Sequence, residues 1–552
     1  MDHSGHHAHH ASTPFPTDPT GLPEATPPTT LEPGDDGTVE LAVAPVAKRL
    51  GDATVRMLAY NGSVPGPLLV VRQGSELTVD VTNQGDLETT VHWHGLRLDN
   101  SSDGVPYDTQ APIAIGGEHT YRLRFPDPGL YWYHPHLRED YTQELGLYGT
   151  ILVRPADDGY WPPAQRDIVM TLDDLLLEDG RIAPFSPAET THAAMGRFGN
   201  VYLVNGELAP AALTADAGEV VRFWLVDTAN TRVFNVRIPG ARLKLVGGDS
   251  GRVEHDEFVD EVLIAPSERA VVDVLFPAPG EYALEHHSPA GTQRLATMTV
   301  GGEPPTPERT ARFETLRGAA DLAAERAGLD PWLAAEPDEV LSLVAEMNLP
   351  AAHHDGPVTY TCPMHPEVTS AEPGHCPHCR MKLLPAATVA EAQHEHGDHD
   401  EHSEHAHHDD HAHDHGAPTT SGGIEWEDDM VEVNRMTTPA TMRWRFVDPA
   451  TGGEPDWRFT VGQRVKIRLV NELESDHPMH HPFHLHGAGR FLVLARDGAT
   501  EPNLVWKDTV LIRTGQTVDI LFDVTNPGRW MAHCHIAEHM ESGMMFGFTV
   551  DA

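Results

Sequence analysis

The chain has 552 residues, 39% of them hydrophobic, and carries 38 Lys and Arg against 83 Asp and Glu, a formal net charge of −45. That length suffices for about three to four domains, no apolar run approaches the ~20 residues of a membrane span, and the charge argues against nucleic acid and anionic membrane surfaces as partners. Four cysteines, three of them between positions 362 and 379, do not make a disulfide framework, whereas 37 histidines are an unusual supply of metal ligands.

The first 34 residues form a His- and Pro-rich tail, beginning MDHSGHHAHHASTPFPTDPTG. It has no apolar h-region and so no secretory leader. Either the protein stays in the cytoplasm or an exported form (periplasmic, cell-surface or extracellular) has lost its leader from this chain; export is the expectation.

Beyond the tail, three stretches share a Gly followed nine residues later by Asn or Asp, with apolar residues alternating between: GSELTVDVTN (74–83), GEVVRFWLVD (218–227) and GQRVKIRLVN (462–471). Alternation with period two marks half-buried strands. Each is followed by a Pro-Gly turn and an aromatic-rich strand: FPDPGLYWYHPH (125–136), FPAPGEYALEHH (276–287) and VTNPGRWMAHCH (524–535). Between them stand VHWHG (91–95), VFNVR (233–237) and FHLHG (483–487). One β-sandwich unit is therefore expected three times, in an all-β chain with domains at 35–156, 157–304 and 338–552. Residues 305–337 read as a helical linker. The third copy is longer by about 100 residues, part of which is an insertion at 351–422.

The repeat shows where the chemistry lies. The outer copies carry His-x-His where the middle one has Phe234 and Val236, and His134/His136 and His533/His535 align with Glu285/His287. Residues i and i+2 of a strand share a face. His92, His94, His134, His136, His484, His486, His533 and His535 would thus converge on a metal cluster if the end domains meet. Cys534 points to the opposite face from its neighbours and needs partners of its own. His539 lies five residues on, Met544 follows ten residues after the cysteine and His481 precedes the FHLHG pair; Cys, two His and a weak Met make a blue-copper ligand set. For Met544 the alternative is core packing.

The motifs HWHG, HPH, HPFHLHG and HCHIAEHMESGMM, in this order, resemble those of the three-domain multicopper oxidases, in particular the bacterial laccase-like enzymes. The resemblance implies three cupredoxin-like Greek-key sandwiches and four copper ions. His481, Cys534, His539 and Met544 would hold the type 1 copper, and His92 and His484 the type 2 copper. His94, His134, His136, His486, His533 and His535 would hold the type 3 pair. Reduction of O₂ to water takes four electrons, and typical donors give one each. Cys534 is covalently continuous with His533 and His535, so the backbone joins the donor side to the O₂ side.

Asp103 matches the family's carboxylate near the type 2 copper, a proton relay, although a loop Asp before Gly also makes turns. At the second relay the chain departs from its relatives. Glu is usual immediately after the last type 1 histidine, and here that residue is Met540, with Glu538 as the acidic candidate on the other side of His539.

Within the insertion, YTCPMHPEVTSAEPGHCPHCRMKLLP (360–385) places Cys-x-x-His ten residues before Cys-x-x-Cys. Cys362, His365, Cys376 and Cys379 have the spacing of a compact tetrahedral site. The segment (module 358–386) resembles the heavy-metal-binding module of copper and silver efflux proteins, with Arg380 where Gly is usual, and offers a further copper or zinc site. The His-rich loop (387–422) is too polar to form a core.

These readings predict an oxidase taking electrons from phenolic or similar aromatic donors and delivering them to O₂. The alternatives are a cuprous or metal-ion oxidase for copper tolerance and a non-catalytic copper-sequestering protein. Oligomeric state is not legible.

Overall fold

A computed structural model describes residues 15–302, 308–349, 358–394 and 420–552. The same strand pairings recur in each third of the chain. Asp36–Leu50, Arg166–Leu175 and Glu339–Met347 lie parallel to the Gly-led strands Glu76–Asn83, Val220–Asp227 and Arg464–Asn471. Those strands pair antiparallel with Glu118–Arg124, Arg269–Leu275 and Thr517–Val524. In a second sheet, His92–His94, Phe234–Arg237 and His481–Leu485 run antiparallel to Gly129–His134, Gly280–Ser288 and Gly528–Cys534. Three β-sandwiches result.

The alternation explains the burial. In Arg464–Asn471 the residues Val465, Ile467 and Leu469 enter the sandwich core, while Lys466 on the other face reaches the Ala335 carbonyl at 2.7 Å. The middle domain differs in register. Val236 pairs with His286 and Arg237 with Glu285, whereas in the end domains His92 faces His134 and His484 faces His533. Aligning both motifs position by position, as the sequence invites, would put Phe234 opposite Glu285. The strands are offset by three residues, and a bulge lies between Leu284 and Glu285.

Residues 1–34 are not all outside the sandwich. Thr30–Leu31 adds an edge strand alongside Leu68–Arg72, and Phe15 stacks on Tyr141 with ring centroids 3.8 Å apart; residues 1–14 lie outside the described residues. The linker forms short helices Thr310–Phe313, Ala320–Ala327 and Asp330–Ala334. Its Leu322 and Leu329 pack against Leu492, Leu504 and Trp506 of the third domain. No helix among the described residues is long and apolar enough to cross a membrane.

The insertion is not an appendage. Three two-residue strands, Tyr360–Thr361, Thr369–Ser370 and Leu384–Pro385, fold the module. The helix Ala386–His394 follows, in a stretch expected to be loop. AATVAEAQ is rich in strong helix formers, and its Val389 and Ala392 bury in the large core that holds Met430 and Val433. Lys382 Nζ reaches Asp476 Oδ2 at 2.9 Å and the Met347 carbonyl at 2.8 Å. The central part of the His-rich loop, 395–419, lies outside the described residues. Because Leu384 is buried in that same core, Leu384→Ala is expected to destabilise the third domain by about 2–5 kcal/mol. Calorimetry on the whole chain checks this; an independent module would melt without moving the main transition.

Candidate metal centres

Strand geometry brings the four His-x-His pairs together between the first and third domains. His92 and His94 share a face of one short strand, and Trp93 between them turns into the core against Tyr121 and Tyr133. Across the interface the rings interleave: His92 lies 4.0 Å from His486, His94 3.9 Å from His484, and His94 4.9 Å from His535 (centroid distances). All eight imidazoles are buried.

Hydrogen bonding settles which nitrogen faces inward. The outer nitrogen of seven rings meets an oxygen: His92 Nδ1 the Asp103 carbonyl (2.8 Å), His94 Nε2 Asp508 Oδ1 (3.0 Å), and His134 Nδ1 the Pro135 carbonyl (2.9 Å). His136 Nδ1 meets Glu139 Oε1 (3.1 Å), and His484 Nδ1 the Asp508 carbonyl (2.9 Å). His486 Nδ1 meets Asp103 Oδ2 (2.9 Å), and His533 Nδ1 the Cys534 carbonyl (2.9 Å). Carbonyls and carboxylates only accept, so in the six rings other than His136 the outer nitrogen carries the proton and the inner one is a lone pair.

Burial, aided by the neighbouring rings, holds His94, His134, His136, His484, His486, His533 and His535 far below their ordinary pKa, so a second proton is disfavoured; for His533 it lies at about 3. The inner atoms then face one another. His486 Nε2 lies 3.3 Å from His136 Nε2 and 3.1 Å from His533 Nε2. The inner nitrogens of His92, His94, His134, His484 and His535 are buried with no hydrogen-bond partner. Lone pairs in such contact repel unless a cation lies between them, and neutral imidazole is a transition-metal donor. The residues fit metal ions.

The other face of the strand Gly528–Cys534 carries the second centre. Cys534 Sγ is 3.5 Å from His481 Nδ1 and 3.9 Å from His539 Nδ1, and those nitrogens are 3.3 Å apart. A trigonal His₂Cys site with bonds of about 2.0–2.3 Å has donor edges of roughly this length. Buried Met544 is tied in by its backbone, donating to the His539 carbonyl and accepting from Cys534 N–H, both at 3.0 Å. Burial raises the Cys534 thiol pKa, so without a cation it stays protonated. Trp444 stacks on His539 at 4.1 Å and meets His481 edge-on at 4.8 Å.

In the module, Cys362 Sγ lies 3.6 Å from Cys379 Sγ and 3.7 Å from His365 Nδ1, which is 3.7 Å from Cys376 Sγ. All four donor atoms fall within 4.8 Å of one another. Tetrahedral bonds of about 2.3 Å give donor edges near 3.8 Å. Its hydrogen bond with Cys379 draws the Cys362 thiol down to about 5, so a thiolate is ready near neutral pH.

The carboxylates are arranged less as the sequence suggests. Asp103 touches the cluster through His486, and its Oδ1, 3.4 Å from His92 Nδ1, has no hydrogen-bond partner. Glu538 is buried, but its Oε2 faces Thr231 Oγ1 of the middle domain at 3.3 Å, and burial pushes it up to about 8. The acid beside His136 is instead Glu139, whose N–H donates to Glu541 Oε1 at 3.3 Å. Sequence reasoning missed Glu139, three residues beyond His136 in HPHLRE, and Asp508, which no motif marks.

Three family models described as multicopper oxidase match residues 43–158, 167–301 and 427–552, and one described as heavy metal binding domain matches 359–386. The chain belongs to the multicopper oxidases, oxidoreductases with copper as cofactor. It is 26% identical to multicopper oxidase MmcO of Mycobacterium tuberculosis, covering 92% of this chain and 86% of that protein. It is 25% identical to a copper resistance protein A homolog of Pseudomonas syringae pv. tomato (90% and 89%). A Campylobacter jejuni multicopper oxidase described as a metallo-oxidase shares the fold, with a TM-score of 0.62 at 20% identity (97% and 98%).

Copper relieves the repulsion among inward lone pairs only in the folded chain. Loading at about a thousandfold excess over Kd is therefore expected to stabilise it by about 4 kcal/mol or more. Calorimetry with and without copper measures this, and His486→Ala, which removes the shared nitrogen, should diminish the gain.

Proposed function

We propose that this enzyme couples the one-electron oxidation of Cu(I) to reduction of O₂ to water, with phenolic donors as a second substrate class. The observation that carries the Cu(I) reading is a soft-donor pair beside the type 1 residues. His477 Nε2 lies 3.1 Å from Met195 Sδ, and the His477 ring sits 5.9 Å from Trp444, which covers both His481 and His539. Thioether and imidazole suit Cu(I). Asp476, next in sequence to His477, is the residue the module grips through Lys382, so the thiol site is anchored at the start of the electron-entry loop. The names of the copper resistance relative and the metallo-oxidase structure agree with this reading. The phenolic reading has the support of plant relatives named laccases, such as rice laccase-19 at 25% identity.

In this reading His481, Cys534, His539 and Met544 hold the type 1 copper. His92 and His484 hold type 2, and His94, His134, His136, His486, His533 and His535 the type 3 pair. Copper, when bound, supplies the one-electron redox steps that link donors to O₂. The chain supplies the rest. Strand alternation puts the Cys534 side chain and the His533 and His535 rings on opposite faces of one strand, so a single stretch of backbone serves both centres. Asp103 relays protons at the edge of the cluster, where its Oδ1 has no hydrogen-bond partner. We place the enzyme outside the cytoplasm, where no reducing thiol pool competes for its copper.

Cys534→Ser is expected to abolish the blue colour and oxidation of both donors. Met195→Leu should lower kcat/KM for Cu(I) about tenfold, the loss of roughly 1.4 kcal/mol, and leave phenol oxidation unchanged. Steady-state rates on Cu(I) and a phenol panel decide between the readings: equal effects on both donors would sink the Cu(I) site. Asp103→Asn keeps an acceptor for His486 Nδ1 but no exchangeable acid. Expected is full copper content with kcat lowered about 10²–10⁴-fold, the usual worth of a proton-transfer group; copper analysis beside turnover measures both.

A further inference from the structure

The middle domain supplies none of the residues assigned to the type 1, type 2 and type 3 copper ions. One of its side chains nevertheless reaches the cluster. Arg269 is fully buried and meets Asp508 as a fork, Nη1 to Oδ1 at 2.7 Å and Nη2 to Oδ2 at 2.5 Å. Asp508 Oδ1 is the atom that accepts from His94 Nε2, and the backbone carbonyl of Asp508 accepts from His484 Nδ1. The next residue, Thr509, places its hydroxyl 3.0 Å from His94 Nε2 and 3.1 Å from His484 Nδ1, and donates to Asp508 Oδ1.

We infer that Arg269 is a positioning residue for the oxygen-reducing cluster, acting through Asp508 on His94 and His484. A bidentate guanidinium fixes the plane of a carboxylate as well as its place, so the inner nitrogens of both rings are aimed by a residue that touches neither. Arg269 is itself held on every side. Its Nε donates to the Leu130 carbonyl at 3.1 Å, Nη1 to the Ser267 carbonyl at 2.9 Å and Nη2 to the Asp249 carbonyl at 3.1 Å. Its backbone N–H donates to Asp249 Oδ1 at 2.8 Å, and Lys507 Nζ bridges Asp249 and Glu268.

A second observation ties this pair to the copper motif. Gly95, the last residue of HWHG, has φ +83°, and a Cβ there would lie 2.6 Å from Asp508 Oδ2 and 2.7 Å from Arg269 Nη2. The glycine after His94 leaves the space in which a third domain's carboxylate and a second domain's arginine meet. All three domains therefore share the shell of His94, and the middle copy, stripped of ligands, keeps a role at the cluster.

The test uses whole chains loaded with copper: Arg269→Gln, and the double variant R269Q/D508N, which removes both charges and so leaves no unpaired carboxylate buried. Expected in each is an intact blue band from the Cys534 site beside a weakened or altered type 2 EPR signal. Bound copper should fall below that of the parent, and kcat should fall about 10–100-fold, the usual effect of losing a group that orients a metal ligand, at unchanged KM for the electron donor. Unaltered type 2 and type 3 signals with kcat within twofold of the parent would overturn the proposal. So would a proportional loss of type 1 and cluster signals in the double variant, because that marks Arg269 as a general packing residue.

Discussion

The structure depends on one constraint: ten imidazoles are buried around two centres, and those of the cluster must present lone pairs rather than protons to one another. Burial alone does not choose the tautomer. The choice is made by acceptors placed behind the rings, and in six of the eight cluster histidines such an acceptor is seen. Two are carboxylates, Asp103 and Asp508. Negative charge behind a ring raises its basicity and offsets part of the charge of a bound cation.

The first and third domains supply all eight cluster imidazoles and the acceptors behind them. Each short His-x-His strand is pinned by its antiparallel partner, which sets ring spacing, and the adjoining backbone supplies two of the acceptors, the Pro135 carbonyl for His134 and the Cys534 carbonyl for His533. The acidic groups come from elsewhere: the loop after His94 supplies Asp103, the turn after His136 supplies Glu139, and Asp508 immediately precedes the strand Thr509–Ile512, which pairs with His481–Leu485. Asp508 in turn would be an unpaired buried charge without Arg269, which arrives from the middle domain.

Much of this was legible in the sequence because it is local and periodic. The threefold Gly-to-Asn spacing gave the sandwiches, and the period of two assigned Cys534 and its neighbours to different faces. Arg380 was legible as a departure, and the reason is visible: it takes φ +66°, a left-handed conformation that glycine adopts at no cost. What sequence could not show is what depends on register or distance along the chain. The three-residue offset between Val236 and His286 has no local signature. The Arg269–Asp508 pair joins residues 239 positions apart. The module's docking rests on a few apolar side chains, Leu384 and Val389 among them, in a stretch whose composition is otherwise polar.

Met540 shows how the expected arrangement is redistributed. The residue after His539 is a buried methionine rather than an acid, so the carboxylate side of His136 has to be served otherwise. Glu139 comes from the same chain turn as His136, and Glu541, one place further along the helix Ala537–Glu541, accepts its backbone N–H across the domain interface. Burial holds Glu541 up to about 7 and pushes Glu139 well above the carboxylate range. An acid pair of this kind keeps a proton in reach near neutrality without placing a fixed negative charge beside the rings. Glu541 thus meets the backbone of Glu139, and the first domain's Glu139 makes the direct contact with the imidazole, its Oε1 3.1 Å from His136 Nδ1.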